Sequence, residues 1–183
     1  TGGILATATN SVIENCVNKA DITGNSTTAG IVAETKNNTA AKCTYIRGCR
    51  NEGSITGTKT GGIVGNYASS GVLKEPVVEN CRNLGAVTAS GTNVGGIVGS
   101  GYMTNNVQTA SAPNGQRINI LGNTVGEGAT VRGNKNVGGI LGSDLYVAQV
   151  WDNVIYSFAG NSFSGKINGK TNVGRSEERR VGK

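Results

Sequence analysis

Cys16, Cys43, Cys49 and Cys81 carry the most reactive side chains in this chain of 183 residues. Three of them end a recurring phrase, "VIENC" (12–16), "YIRGC" (45–49) and "VVENC" (77–81). Thiols in such a series suggest a soft metal site or disulfides. The sequence has no His and no C-x-x-C, which argues against zinc. Stacked side chains that point the same way also make the disulfide dihedral awkward, although the Cα separation is suitable. The preferred reading is a column of buried thiols acting as small hydrophobes. A disulfide involving Cys43 stays open for an oxidising setting.

Other chemistry is equally restricted. Without His there is no Ser or Cys triad and no H-E-x-x-H site. Carboxylates alone could serve a polysaccharide-cleaving enzyme. However, Glu14 and Glu79 recur at equivalent places with Arg47 between them, and that alternation reads as charge pairing between neighbouring strands. No catalytic residue, cofactor-binding residue or metal ligand is assigned, and no cofactor is expected. Tyr67, Tyr102 and Tyr146 each follow a glycine-rich phrase by a few residues. They are binding candidates, as a row of aromatics against sugars or a partner protein. The preferred alternative is that each folds back over its own corner.

Stepping along the chain explains what must position these residues. "NVGGIVG" (93–99) returns as "NVGGILG" (136–142), "TGGIVG" (60–65), "AGIVAE" (29–34) and "TGGILA" (1–6). The glycine before Ile falls at Gly3, Gly30, Gly62, Gly96 and Gly139, at intervals of 27, 32, 34 and 43 residues. Repeats of this length mark stacked architectures. Units are expected at about 1–28, 29–60, 61–94, 95–137 and 138–174. Within them, three registers are expected. Cys16, Cys49 and Cys81 align with Leu121 and Ala159. Asn18, Asn51, Asn83, Asn123 and Asn161 align as a structural ladder. Ile22, Ile55, Val87, Val131 and Ile167 align as a third set.

Composition fixes the kind of stack. Val, Ile and Thr number 19, 13 and 19 against 6 Leu, and Asn and Gly number 22 and 30. β-Branched residues favour pleated strands, while Gly and Asn supply the corners between them. Aromatics are only 4%, so the interior must be narrow. Each unit holds three β-type segments, G-I-V-G, I-x-N-C and G-x-I-x-G. The expected fold is therefore all-β, a parallel β-solenoid (three-sided β-helix) of about five rungs, as one array over residues 1–174. Rungs spaced about 4.8 Å apart would give a rod roughly 25 Å long. Length varies between the G-I-V-G and I-x-N-C segments, most of all in "SGYMTNNVQTASAPNGQR" (100–117). Such insertions project from one edge.

Residues 175–183, RSEERRVGK, resemble the translation of a sequencing adapter and are read as a non-native tail, with 1–174 a fragment of a longer frame. The net charge is +6, and four Lys/Arg and two Glu lie in that tail, which leaves +4 over 1–174. The charges are dispersed, so no nucleic-acid partner is expected. No apolar run is long enough to span a bilayer, so no membrane insertion is expected.

The paired "GGIVG" and "ENCxNxG" phrases resemble the GLUG-motif repeats of large bacterial cell-surface and secreted proteins, including non-catalytic regions of IgA-specific metalloendopeptidases. Nearly all of 1–174 shares the resemblance. It implies an extracellular or cell-surface location and a role as stalk, display scaffold or adhesin, with a host glycan or protein as ligand. Peptidase activity has no residue here to carry it. The alternative is part of a polysaccharide-active β-helix lyase or hydrolase. Open strand edges at the two ends imply end-to-end self-association.

Overall fold

The computed structural model describes residues 1–38, 43–69, 76–104, 118–147 and 156–174. Every regular element among them is a β-strand. One circuit runs through strands Val32–Asn38, Tyr45–Arg47, Arg50–Asn51, Ile55–Gly57 and Lys59–Gly61. The next repeats the course as Val64–Ser69, Pro76–Glu79, Arg82–Asn83, Val87–Ala89 and Thr92–Gly95. Equivalent strands pair in parallel, so five sheets, here I to V in circuit order, each contain five strands. The chain is a parallel β-solenoid.

The three expected segments subdivide into five strands because corners interrupt them. Between sheets II and III the corner residue is Asn15, Gly48, Asn80, Gly122 or Gly160, with φ of 55°, 59°, 53°, 66° and 63°. Only Gly, and at modest cost Asn, holds that left-handed geometry. The two types interlock. A Cβ on Gly48 would sit 2.5 Å from the Asn15 carboxamide oxygen, and one on Gly122 equally close to that of Asn80.

The repeated G-G-I-V-G phrase forms the arch where sheet V reverses into sheet I. A Cβ on Gly61, Gly95 or Gly138 would overlap the carbonyl of the residue three positions on. The second glycine meets the backbone of the next circuit, Gly62 against Gly96 and Gly96 against Gly139. The third lets the two sheets touch through their backbones, with Gly99 facing the Thr60 carbonyl and Gly142 facing Val94. The phrase recurs because each circuit must make the same side-chain-free contact.

Between the glycines, the isoleucines stack as expected. The Ile31 amide donates to the Ile63 carbonyl (3.2 Å), Ile63 to Ile97 (2.9 Å) and Ile97 to Ile140 (3.0 Å). All four side chains are buried, whereas Ile4 on the first circuit is exposed. The column Ile22–Ile55–Val87–Val131–Ile167 also forms. The interior divides into two clusters. The larger holds Ile31, Ile46, Ile63, Val78, Ile97, Ile120 and Tyr67. The smaller holds Val87, Ala89, Val94, Val131 and Val137. Full burial of each such Ile or Val stabilises by about 1.5–3 kcal/mol. The four breaks in the described residues all fall between a sheet I strand and the following sheet II strand. Residues 105–117 of the expected projecting insertion lie there, outside the described residues.

Candidate functional site

The asparagine ladder exists, but not as one column of five. Asn18 donates from Nδ2 to Asn51 Oδ1 (2.7 Å), and Asn51 donates to Asn83 Oδ1 (2.7 Å). Each also donates to a carbonyl two residues on, at Ala20, Gly53 and Gly85. Beneath Asn83, however, the register places Val125 and then Phe163. Asn123 and Asn161 lie two positions earlier and continue the cysteine column. The Cys81 amide donates to Asn123 Oδ1 (2.9 Å) and the Asn123 amide to Asn161 Oδ1 (3.0 Å). The expected match of Cys81 with Leu121 and Ala159 fails for the same reason. Those two residues pair with Glu79 and with each other.

This shift shows what the cysteines do. The single S–H of Cys49 faces the Arg47 carbonyl (3.3 Å) and the Ile13 carbonyl of the preceding circuit (3.5 Å), and that of Cys81 faces the Glu79 (3.3 Å) and Ile46 (3.5 Å) carbonyls. Asn123 Nδ2 donates to Val78 (3.0 Å) and Asn161 Nδ2 to Ile120 (2.7 Å), the same carbonyl column. Thiol and amide thus stand against the same column of buried acceptors, which the amides satisfy outright and the thiols share with a carbonyl of their own circuit. No disulfide joins any of the four cysteines. The Cys81 thiol beside it holds Cys49 down, to about 7. That same interaction and burial push Cys81 well up, and burial raises Cys16. Cys49 and Cys81 are each 1% exposed, so neither meets a solution reagent in the folded chain. Among the described residues, no group of three His, Cys, Asp or Glu could hold a metal ion.

A third ladder went unrecognised in the sequence. Asn93, Asn136 and Asn172, the first letters of each "NVG", stand in register with φ of 64°, 54° and 51°. Asn136 donates to Asn93 (2.8 Å) and Asn172 to Asn136 (2.9 Å).

Four of the acids, Glu14, Glu34, Glu52 and Glu79, are engaged in ion pairs. Arg47 bridges Glu79 (2.8 Å) and Glu14 (3.9 Å), the alternation anticipated from the sequence, and it lies over the Tyr45 ring at 4.7 Å. Glu52 pairs with Arg50 (2.7 Å) and Glu34 with Lys36 (3.5 Å). Asp21 accepts from the Ser54 amide (2.7 Å).

The tyrosines do not form a row. Tyr67 pairs with Gly101, Tyr102 with Ala68 and Leu145, and Tyr146 with Met103, so the three occupy successive positions along sheet I. Tyr67 is fully buried, and its hydroxyl donates to the Thr44 carbonyl (2.6 Å) beside Cys43 Sγ (3.2 Å). Burial, then the Cys43 neighbour, push its phenol far up. A residue so enclosed cannot stack on a ligand. The side chains of Tyr102 and Tyr146 lie outside the described residues.

The structure instead presents a groove of about 480 Å³ at the corner between sheets IV and V. Thr88, Ala89 and Ser90 line it from the third circuit, Arg132, Gly133 and Asn134 from the fourth, and Asn168, Gly169 and Lys170 from the fifth. Thr88, Arg132 and Asn168 share one register. Asn134 braces the floor by donating to the Ser90 carbonyl (2.7 Å), while its own carbonyl accepts from the amides of Lys170 (3.2 Å) and Thr171 (3.1 Å). Arg132 and Lys170 are exposed, as are Lys135 and Lys166 on adjoining strands. No carboxylate lines the groove. Sequence reasoning treated these charges as dispersed. The four cations of residues 118–174, two of them in "RGNK" (132–135), are interspersed with Glu127, Asp144 and Asp152, so no excess of one sign marks the groove in the sequence.

No helix among the described residues is long and apolar enough to cross a membrane. Comparison with protein-family models, with curated proteins and with solved structures gives no match, so the architecture and the groove stand on their own geometry.

Proposed function

We propose that the chain is a non-catalytic repeat segment of a bacterial surface or secreted protein, acting as a stalk or display scaffold with an adhesive surface. The observation that carries this reading is the use to which the recurrent residues are put. The Asn, Cys, Gly and Ile positions that define each unit make contacts from circuit to circuit. Letters repeated for such contacts build a rod, and a rod holds surface at a distance. The likeness to GLUG-motif repeats supports an extracellular or cell-surface setting and a glycan or protein ligand.

The test is a glycan array run beside a reducing-sugar assay on the same glycans. Retention of glycan without new reducing ends supports adhesion. Release of sugar ends, abolished by one Glu→Gln or Asp→Asn change, would replace this reading with a polysaccharide-active enzyme.

A further inference from the structure

We infer that the groove at the sheet IV–V corner binds an acidic polysaccharide, one with a carboxylate or sulfate on successive sugars; this deepens the adhesive reading above and rests on it. Four observations converge. The groove spans three circuits and is open to solvent, which suits an extended chain rather than an enclosed compact ligand. Its cations, Arg132 and Lys170, lie on adjacent circuits, about 4.8 Å apart in the stacking direction, and are offset by two register positions along the strand direction. Neither forms an ion pair among the described residues, whereas Arg47, Arg50 and Lys36 on earlier circuits do. Beside the cations the lining adds Thr88, Ser90, Asn134 and Asn168, hydroxyls and amides that match sugar hydroxyls in donor and acceptor character.

The same lining argues against a nucleic acid. Binding of single strands uses aromatic faces for base stacking beside the basic track, and no aromatic residue lines this groove. Lys135 and Lys166 flank it and add long-range attraction, which salt should screen.

The experiment uses the 183-residue chain and polygalacturonate as probe, with methyl-esterified polygalacturonate as the neutral counterpart and an oligothymidylate as the nucleic-acid counterpart. Calorimetry is run on the parent, the double variant R132S/K170S, the charge-preserving double variant R132K/K170R, and R82S, which removes an exposed cation elsewhere. Far-UV circular dichroism of each variant checks that the strands persist. The expected result is binding of polygalacturonate alone. The affinity should fall about tenfold in R132S/K170S, as expected for two exposed charge contacts, and be retained in R132K/K170R and R82S. Equal weakening in R82S would reduce the effect to diffuse charge and overturn the groove assignment. Comparable, groove-dependent binding of oligothymidylate would overturn the ligand class. Binding of a neutral glycan unaffected by R132S/K170S would overturn this inference while leaving the adhesive reading intact. Absence of binding to any glycan on the array would remove both.

Discussion

Asn51→Asp changes one atom at the centre of the first amide ladder. Asn51 is fully buried. Its Oδ1 accepts from Asn18 (2.7 Å), and an aspartate oxygen can go on accepting that bond. Its Nδ2 donates to Asn83 Oδ1 (2.7 Å) and to the Gly53 carbonyl (2.8 Å). In the variant an oxygen faces both acceptors. Two lost hydrogen bonds weaken the fold by about 2 kcal/mol, and two stranded buried acceptors add about 1 kcal/mol or more each. The total is about 4 kcal/mol, or roughly 10 °C in Tm for a chain of this size. The deficit should shrink in acid. Burial and facing oxygens disfavour the charged carboxylate and raise its folded-state pKa above the unfolded value. The folded state then holds the extra proton, so stability is greatest below the unfolded pKa and declines as pH rises through the folded one. A protonated carboxyl can also restore one donated bond. Asn25→Asp, at an exposed asparagine, is the control, with an expected effect within about 0.5 kcal/mol. Thermal melts of both variants at neutral and acidic pH decide the matter. Equal melting temperatures, or an Asn51→Asp deficit that does not move with pH, would refute the ladder as an energetic element.

Tyr67→Phe removes the hydroxyl bond to Thr44 and should lower stability by about 1–2 kcal/mol, measured by denaturant titration, while leaving glycan retention unchanged; loss of retention would restore Tyr67 as a ligand contact. In thiol titration of the native chain, Cys16 should react first, and Cys49 and Cys81 only after denaturant is added, because burial outweighs the lowered pKa of Cys49. Immediate modification of all four would contradict the packing. Each sheet ends in strands with a single neighbour, and Val12, Ile4 and Val17 at one end and Phe158 and Val173 at the other are exposed. Sedimentation should therefore show concentration-dependent association, and a monomer across the whole range would count against pairing through the rod ends.

The glycine arches, the isoleucine columns and the parallel stack were legible because identical letters recur at positions where the backbone itself demands them. The amide ladder was misregistered because identity was weighed above spacing. Asn83 stands four residues before Val87, but Asn123 stands eight before Val131, and that difference was the available warning. Two of the four extra residues form the turn around Glu127 and Gly128, and the other two are the offset of the column. Spacing likewise betrays the tyrosines, which follow Gly65, Gly99 and Gly142 by two, three and four residues and so cannot share a register. The groove was hidden for a different reason. Its walls come from three units, and nothing local says that Ser90, Asn134 and Lys170 meet at one corner.

The change of column between Asn83 and Asn123 divides the rod as a block copolymer is divided. Units one to three present Cys and Asn at two neighbouring positions, and units four and five present Asn with Val or Phe. Deleting or duplicating a unit inside either block leaves one boundary of the kind already present, so the rod can change length by recombination without a new mismatch. Alternating the two kinds would create a boundary at every step, each leaving an amide of the Asn83 type over an apolar side chain. Length is thus the variable this design leaves free, and order is the one it holds.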